Sequence, residues 1–516
     1  MTANSTPPPP TADSTDSAGA QRQHTVRVWT LVGIIIGSTI GSGIFALPQN
    51  IASAAGPGAM FIGWFIAGVG MLSIAFVFQI LAYRKPHLDS GVYAYVRAGL
   101  GDYIGFIAGF GYWLGSIIAQ VGYATLFFST LGHYLPIFDT EQHRWAQALA
   151  VSALTWIIFG VLTRGIKQAK IMNAITTVAK LVPILAFVVL VAFLGFNIDT
   201  FTMDFWGESS GLSVMEQVQG IMLFTVWAFI GIEGASVYSK QAQTRSDVGR
   251  ATVLGFTTVL LLLVTVSTLS YGVLSQEELA ALPDNSLAAV LEAVVGPWGG
   301  ALISVGLCLS MLGAYVSWQM LCAEPLVMMA FDGLLPRRIG VINAAGSPWM
   351  AQLICTVLIQ VWIVVFYVNE TAYTSMVQLA TMLYLSPYIF SALYLMLLVV
   401  RGRGFNSAEL DDGVPQDKAN NRRHLIIGLI AFVYSLWLVY AADPKYVLLG
   451  ALATFPSIIP YVWYRHHLGR RIFTMYEWGV VVVILVGAII AAWGLAAGTI
   501  RAQAPPLAMA AAHSSA

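Results

Sequence analysis

Three glycines and two serines lie close together near the start of the first long apolar run, in Gly37-Ser38-Thr39-Ile40-Gly41-Ser42-Gly43. Glycine loses more backbone entropy on ordering than other residues and readily adopts positive φ, so this stretch makes a poor continuous helix. Within a bilayer, a helix can be interrupted only where the freed backbone is buried in protein or lines a cavity. Amides freed at such a break can bind an anion. The stretch is therefore expected to contact a ligand near the bilayer midplane.

Three ionisable side chains fall well inside apolar runs, Lys180, Glu233 and Glu324. Each costs at least about 2.5 kcal/mol there, so each is a functional candidate. Lys180 lies near the start of its run, and one interpretation is that its ammonium snorkels to the near membrane surface. Glu324 precedes Pro325, and we expect it to accept a hydrogen bond from backbone loosened at the proline. A place in an inner vestibule is the alternative for Glu324.

The remaining reactive residue types form no catalytic or metal-binding set. All eight histidines fall in the termini or in predicted loops, and the three cysteines lie in apolar runs. A membrane-embedded enzyme would need a nucleophile with a base, paired carboxylates or metal ligands at membrane depth. The sequence therefore predicts a protein that is not an enzyme and that needs no metal or cofactor.

The composition predicts a multi-pass membrane protein. Of 516 residues 58% are hydrophobic and 10% are charged, and the mean hydropathy is +0.75. A formal net charge of zero gives no indication of a nucleic-acid partner. Residues 1–27 are rich in Ser, Thr, Pro and Ala, which is typical of a disordered tail.

Thirteen apolar runs are long enough to cross about 30 Å of hydrocarbon. They are predicted at 28–50, 56–82, 99–134, 145–163, 170–196, 215–238, 249–275, 295–331, 347–368, 372–400, 424–442, 446–464 and 475–497. Residues 401–423 form a predicted cytoplasmic loop, 424–497 additional membrane helices, and 498–516 a C-terminal tail.

The distribution of basic residues predicts the orientation. Of the 25 Lys and Arg residues, 21 fall on the side of the N-terminus, three on the opposite side, and Lys180 within a span. Because positively charged loops stay in the cytoplasm, the N-terminus is predicted to be cytoplasmic.

A second interrupted run, Trp227-Ala228-Phe229-Ile230-Gly231-Ile232-Glu233-Gly234, lies in the sixth span. Five spans separate the starts of the two interrupted helices, and an odd number inverts the second unit in the membrane. Matching interruptions in two inverted halves are typical of secondary transporters that bind substrate between the breaks. We therefore predict a ten-helix core at 28–400, made of inverted five-helix repeats at 28–196 and 215–400.

The interrupted segments also resemble the amino acid/polyamine/organocation transporter superfamily. The sequence GSTIGSGIFALPQNIASAAGPGA at 37–59 is similar to its first-helix signature, and WAFIGIEGASVYS at 227–239 to the sixth-helix motif of its basic amino acid antiporters. Further similarity lies at 84–106, 245–256 and 331–348. The subgroup that the chain most resembles is the arginine/ornithine antiporters. The resemblance implies an all-α LeuT-like fold of about 12–13 membrane helices, with helices 1 and 6 broken.

The resemblance also implies which groups hold the amino acid backbone of the substrate. The substrate carboxylate would bind the amides of Gly41, Ser42 and Gly43, in agreement with the helix-terminus argument. The α-ammonium would bind carbonyls exposed near Thr39 and Ile230.

Other residues would then recognise the substrate side chain. Trp227 matches a gating aromatic residue, and Trp318 matches a tryptophan that stacks on the cationic end of the substrate, which is worth about 1 to 2 kcal/mol. Gly115, Ser116 and Gln120 match the third-span lining of the pocket. Gln120 stands where relatives carry Asn, so its longer amide alters the expected substrate length.

Glu233 matches a glutamate implicated in gating and in pH dependence. Lys180 resembles a fifth-helix lysine whose ammonium takes the place of a sodium ion, which would make transport sodium-independent.

The function implied is alternating-access exchange of cationic amino acids across the cytoplasmic membrane, with arginine entering and ornithine leaving for the arginine deiminase pathway. Proton-coupled uptake of lysine, arginine or a polyamine is the alternative. The expected partners are this small-molecule substrate and the lipid bilayer, and a homodimer is left open.

Overall fold

The computed structural model describes residues 28–85, 88, 91–138, 143–165, 169–232, 245–369, 373–400 and 418–500. Within these ranges the regular secondary structure is helical, which confirms the predicted all-α class. The first predicted span is divided into α1 (Val28–Thr39), a 3-10 turn at Ser42–Ile44, and α2 (Leu47–Ala52).

The rest of the first repeat consists mainly of long helices. They are α3 (Pro57–Arg84), α4 (Gly91–Leu100), α5 (Asp102–Gly132), α6 (Arg144–Thr163) and α7 (Ala169–Leu190), after which five residues at 191–195 form a π-helical turn. Helix α5 packs against helices of both repeats and is almost completely buried, so its many small residues face protein rather than lipid.

The second repeat begins after the short helix α8 (Ile198–Thr202). Its helices are α9 (Val214–Trp227), α10 (Arg245–Tyr271), α11 (Gln276–Ala280), α12 (Ser286–Val295), α13 (Pro297–Phe331), α14 (Trp349–Val368) and α15 (Tyr373–Val400). A capping box between Ser213 and Glu216 fixes the start of α9. The short helices α11 and α12 join α10 to α13 at one face of the bundle and were not predicted from the sequence.

Four helices follow the two repeats. They are α16 (Lys418–Ala441), α17 (Pro444–Thr454), α18 (Ile458–His467) and α19 (Met475–Ala496). A 3-10 turn at Phe455–Ser457 joins α17 to α18, which together form one span. Helix α16 packs against α3 and α15, and α17 packs against α19.

Eleven segments within the described ranges are long and apolar enough to cross a membrane. The interrupted first and sixth spans are too short to be counted among them, and adding them gives the thirteen that the sequence predicts. For most spans, the observed and predicted boundaries differ by a few residues. A larger difference occurs at α16, which begins at Lys418 rather than at the predicted residue 424.

Charged side chains connect several helices on the face that carries most of the basic residues. Asp102 accepts from Arg97 at 2.9 Å and from Arg465 at 2.8 Å, and Arg97 also pairs with Asp332 at 2.9 Å. Glu477 of α19 accepts from the amide of Tyr103 at 3.0 Å. These contacts fix the last helices of the chain to the start of α5 and connect α4 to the end of α13.

Candidate functional site

Helix α1 stops hydrogen-bonding at the predicted break. The amide of Ile40 still donates to Ile36 O at 3.0 Å, but Gly41 has φ −108° and ψ −148° and leaves the helical path. Within the described part of the chain, no acceptor is found for the backbone amides of Gly41, Ser42 or Gly43. Three neighbouring free amides at the end of a helical turn can receive a carboxylate.

The sixth span is interrupted directly beside this break. Helix α9 ends at Trp227, turns follow to Ile232, and Gly231 has φ +108°. A Cβ on Gly231 would lie 2.6 Å from Ser38 O, so the two interrupted backbones are in contact. Only glycine combines this φ with so close an approach. Glu233 lies outside the described residues, and its predicted gating role stays a prediction.

Lys180 of α7 reaches the first break rather than the membrane surface. Its Nζ donates to Gly37 O at 2.5 Å and to Ile40 O at 2.7 Å, and the residue is 6% exposed. The snorkelling alternative is therefore wrong. Carbonyls released by an unwound membrane helix are the groups that coordinate a cation in carriers with this architecture. The lysine ammonium satisfies two of them from within the protein.

Aromatic rings enclose the two breaks. Trp227 packs against Tyr123 with ring centroids 5.9 Å apart, and a Cβ on Gly43 would lie 2.9 Å from Trp227 Cδ1. The hydroxyl of Tyr373, at the start of α15, donates to Ser42 Oγ at 3.1 Å. The structure therefore buries the break beneath side chains of α5, α9 and α15.

A second group of predicted residues surrounds Tyr384 of α15. Its hydroxyl and Ser116 Oγ are 2.7 Å apart, and a Cβ on Gly115 would lie 3.2 Å from its ring. Trp318 meets the same ring edge-on at 6.4 Å and is 8% exposed. The tyrosine thus brings α5 and α13 together at the predicted side-chain pocket.

Gln120 is completely buried one turn from Tyr123. Its Nε2 donates to Tyr315 O at 3.0 Å and to Gln319 Oε1 at 2.9 Å. Its Oε1 has no hydrogen-bond partner among the described residues. Half of this amide is therefore used to join α5 to α13, and the acceptor half remains available for a cationic donor.

The remaining candidates are Thr39 and Ile230, whose proposed role stays a prediction, and Glu324 in α13. Thr39 is buried at the end of α1 and its hydroxyl has no partner in the described ranges, while Ile230 lies in the second break. Glu324 is exposed, and among the described residues it accepts no hydrogen bond. The expectation that Glu324 bonds loosened backbone is wrong, because α13 continues unbroken through Pro325.

Three tyrosines at the site were missed from the sequence, namely Tyr123, Tyr373 and Tyr384. A tyrosine buried in a membrane span must find a partner for its hydroxyl, and this is the signal that could have identified them. No group of three or more His, Cys, Asp or Glu side chains able to hold a metal ion occurs in the part of the chain that the structure describes.

Comparison with known proteins supports the architecture. A family model described as amino acid permease matches residues 26–453. An L-lysine transport protein of Corynebacterium glutamicum is 63% identical over 94% of this chain and 99% of its own length. An arginine/ornithine antiporter of Pseudomonas aeruginosa is 46% identical over 91% of this chain and 97% of its own. An arginine/agmatine antiporter of Chlamydia abortus is 37% identical over 84% and 89%.

Proposed function

Because the chain belongs to the amino acid permease family and is a multi-pass membrane transporter, we propose that it exchanges cationic amino acids by alternating access. Arginine entering and ornithine leaving is the pair proposed from the sequence. The lysine transporter among the relatives adds lysine to the proposed substrates. These molecules share an α-amino acid backbone and a cationic end.

The free amides at the first break support binding of the substrate carboxylate. The amides of Gly41, Ser42 and Gly43 are three donors without an acceptor among the described residues, and the end of an interrupted helix favours an anion. Ser42 and Gly43 are buried, so this charge would be held away from solvent. The α-ammonium would lie between the backbones at Thr39 and Ile230.

Aromatic and amide groups support recognition of the cationic end. The Trp318 indole packs edge-on against the Tyr384 ring, and Gln120 Oε1 accepts no hydrogen bond from any described residue. A guanidinium or ammonium cation is stabilised by stacking on an aromatic face and by donating a hydrogen bond to an amide oxygen. Trp227, which packs against Tyr123 and Gly43, is proposed as the gating aromatic residue. Gly115 and Ser116 are proposed to line the pocket.

The observation that carries the exchange proposal is the pair of hydrogen bonds from Lys180 to Gly37 and Ile40. The Lys180 ammonium already donates hydrogen bonds to these carbonyls, so no coupling sodium ion is needed there. Exchange of two monovalent cations moves no net charge and needs no ion gradient.

The test is uptake of labelled arginine or lysine into proteoliposomes, either empty or loaded with ornithine. We expect ornithine loading to accelerate uptake at least about tenfold, with sodium and choline media giving equal rates. Uptake into empty vesicles that is driven equally well by a pH gradient would refute exchange. It would instead support proton-coupled uptake, in which Glu233 or Lys180 carries the proton.

Substrate competition in the same vesicles defines the pair. The uptake of labelled arginine is measured in the presence of an unlabelled competitor, which is arginine, ornithine, lysine, agmatine or putrescine. If the free amides bind a carboxylate, agmatine and putrescine, which lack one, should compete more weakly than the three amino acids. Equal competition by all five would contradict the proposed carboxylate site.

A further inference from the structure

The segment between α11 and α12 carries an acidic residue, Asp284, whose role the fold does not explain. It lies at the face of the bundle opposite to most of the basic residues, which is the outer face in the predicted orientation. Within the described ranges, its carboxylate accepts no hydrogen bond and forms no ion pair. The residue is nevertheless only partly exposed.

The residues that follow Asp284 are bonded directly to the outer end of the first break. The amide of Leu287 donates to Phe45 O at 2.9 Å, and Ser286 Oγ accepts from the Gln49 amide at 3.1 Å. On the other side, Asn285 Nδ2 donates to Ser304 Oγ of α13 at 3.0 Å. The backbone around Asp284 is therefore held in a defined position over the turn that follows Ser42.

The carboxylate is also linked to the site through α15. Asp284 lies near Tyr373, the residue whose hydroxyl donates to Ser42. Tyr373 in turn packs near Gly122 of α5, where a Cβ would lie 3.5 Å from its ring. The acid thus lies at the outer entrance to the enclosed group of Ser42, Trp227 and Tyr373.

An unpaired, partly buried carboxylate is unfavourable, and partial burial raises the pKa of Asp284 to about 6. At neutral pH the group still carries its negative charge for most of the time. Two other acids on this face have local partners. Asp443 pairs with Lys445 at 3.4 Å, and Asp204 accepts from Ser209. Within the described ranges Asp284 has no such partner, and neither has Glu292 of α12, but Asp284 lies two residues before Ser286, which bonds to the outer end of the first break.

We infer that Asp284 is an outer recognition residue that attracts and orients the cationic group of an arriving substrate before it reaches the breaks. The inference rests on the proposed function, since it requires a substrate with a positive side chain. The Asp284 carboxylate would then contribute to substrate selectivity, because a neutral analogue of the same shape is not attracted by its negative charge.

The experiment measures transport from the outside in intact cells that express Asp284→Asn. We expect the KM for external arginine to rise about fivefold or more, as for loss of one charge contact. The KM for efflux from preloaded right-side-out vesicles should change little. Competition by citrulline, the neutral isostere of arginine, should be unaltered, so the preference for arginine over citrulline falls.

Two variants on the same face serve as controls. Asp443→Asn also removes an outer carboxylate, but one that is paired with Lys445 and exposed, and it should leave the KM unchanged. Asp284→Glu keeps the charge and should restore much of the arginine preference. Equal effects of Asp284→Asn and Asp443→Asn would show that only general surface charge matters, and would overturn the inference.

Thermal stability separates recognition from a structural role. Asp284→Asn removes an unpaired charge, so the purified variant should be at least as stable as the unaltered protein. A lowered melting temperature with unchanged selectivity would mean that the carboxylate serves the fold and would overturn the inference. If the unaltered protein shows no exchange at all, the proposed function fails instead.

A measurement on the unaltered protein covers the case in which the variant does not fold. A water-soluble carbodiimide with an amine converts accessible carboxyl groups to amides, which peptide mass spectrometry locates. Arginine should protect Asp284 from modification while citrulline does not, and Asp443 should react equally in both. Modification of Asp284 that arginine does not reduce would contradict the inference.

Discussion

We propose that the Lys180 ammonium occupies the position that a dissociable coupling cation takes in ion-coupled carriers. Its ammonium is buried and bonded to Gly37 O and Ile40 O at the point where α1 unwinds. Lysine was identified from the sequence as costly at this depth, and that reasoning was sufficient to single it out. The sequence could not decide between snorkelling and the break, because both positions lie within reach of the long side chain.

Lys180→Met should reduce exchange more than tenfold. It leaves two buried carbonyls without a donor, at a cost of about 1 to 3 kcal/mol each, so the melting temperature should fall as well. Uptake and thermal unfolding of the purified protein measure the two effects. Lys445→Met, on the outer face, is the control and should leave both unaltered. Full exchange by Lys180→Met would remove the ammonium from the proposed mechanism.

For single residues, the sequence predicted which residues belong to the site better than it predicted what those residues contact. The glycines of the first break and Lys180 stood out because each is unfavourable in a continuous membrane helix. Gln120 also stood out, but half of its amide bonds Tyr315 and Gln319, a use that depends on the packing of α5 against α13. Asp284 was missed because nothing in a loop acid reveals whether it has a partner.

At the scale of elements, the two interruptions form one unit. Gly231 lies against Ser38 O, and Gly43 lies against Trp227, so each broken helix fills space that the other leaves. A change of access that moves one break must therefore move or release the other. This contact explains why glycine is needed in both segments and not only where φ is positive.

Gly231→Ala should abolish exchange while leaving membrane insertion intact. Its Cβ would lie 2.6 Å from Ser38 O at a φ of +108°, so both backbones would have to shift. Gly33→Ala in α1 is the matched control, because a Cβ there meets nothing within 4 Å, and it should retain normal exchange. Uptake is normalised to the amount of protein in the membrane. Normal exchange by Gly231→Ala would show that the two breaks need not touch.

The order and number of the long helices followed from hydropathy, because each must span a fixed thickness of hydrocarbon. The short helices α11 and α12 did not, because α11 has only five residues and α12, although apolar, is too short to span the membrane. Ser286 and Leu287 fix the start of α12 on Phe45. The exact end of the sixth-span interruption lies outside the described residues.

In the whole molecule, different kinds of contact hold the helices together at the two faces of the bundle. One face carries the ion pairs of Asp102 with Arg97 and Arg465, each half-exposed or less. Such pairs are individually weak, at about 0 to 1 kcal/mol, which suits contacts that must open and close. Among the described residues, hydrogen bonds join the elements of the opposite face, including those of Ser286 and Leu287 with the first break and that from the Gly58 amide to Phe205 O.

The predicted orientation has a direct test in the reactivity of introduced cysteines. Glu277→Cys in α11 and Arg338→Cys after α13 place exposed thiols on opposite faces. With intact cells and a membrane-impermeant maleimide, we expect labelling of Glu277→Cys only. The native Cys322 and Cys355 are buried, whereas Cys308 is partly exposed, so labelling of the unaltered protein measures the background. Labelling of Arg338→Cys alone would invert the orientation and with it the assignment of Asp284 to the outer face.

The attachment of Lys180 to the first break has a consequence for the range of conditions in which the protein can work. A dissociable ion occupies its site according to its concentration in the medium, whereas a tethered ammonium has a fixed effective concentration. The break is therefore equally well assembled in fresh and saline surroundings and at either face of the membrane. The exchange that we propose would then depend only on the concentration ratios of the two amino acids across the membrane, and it would leave the salt gradients of the cell unchanged.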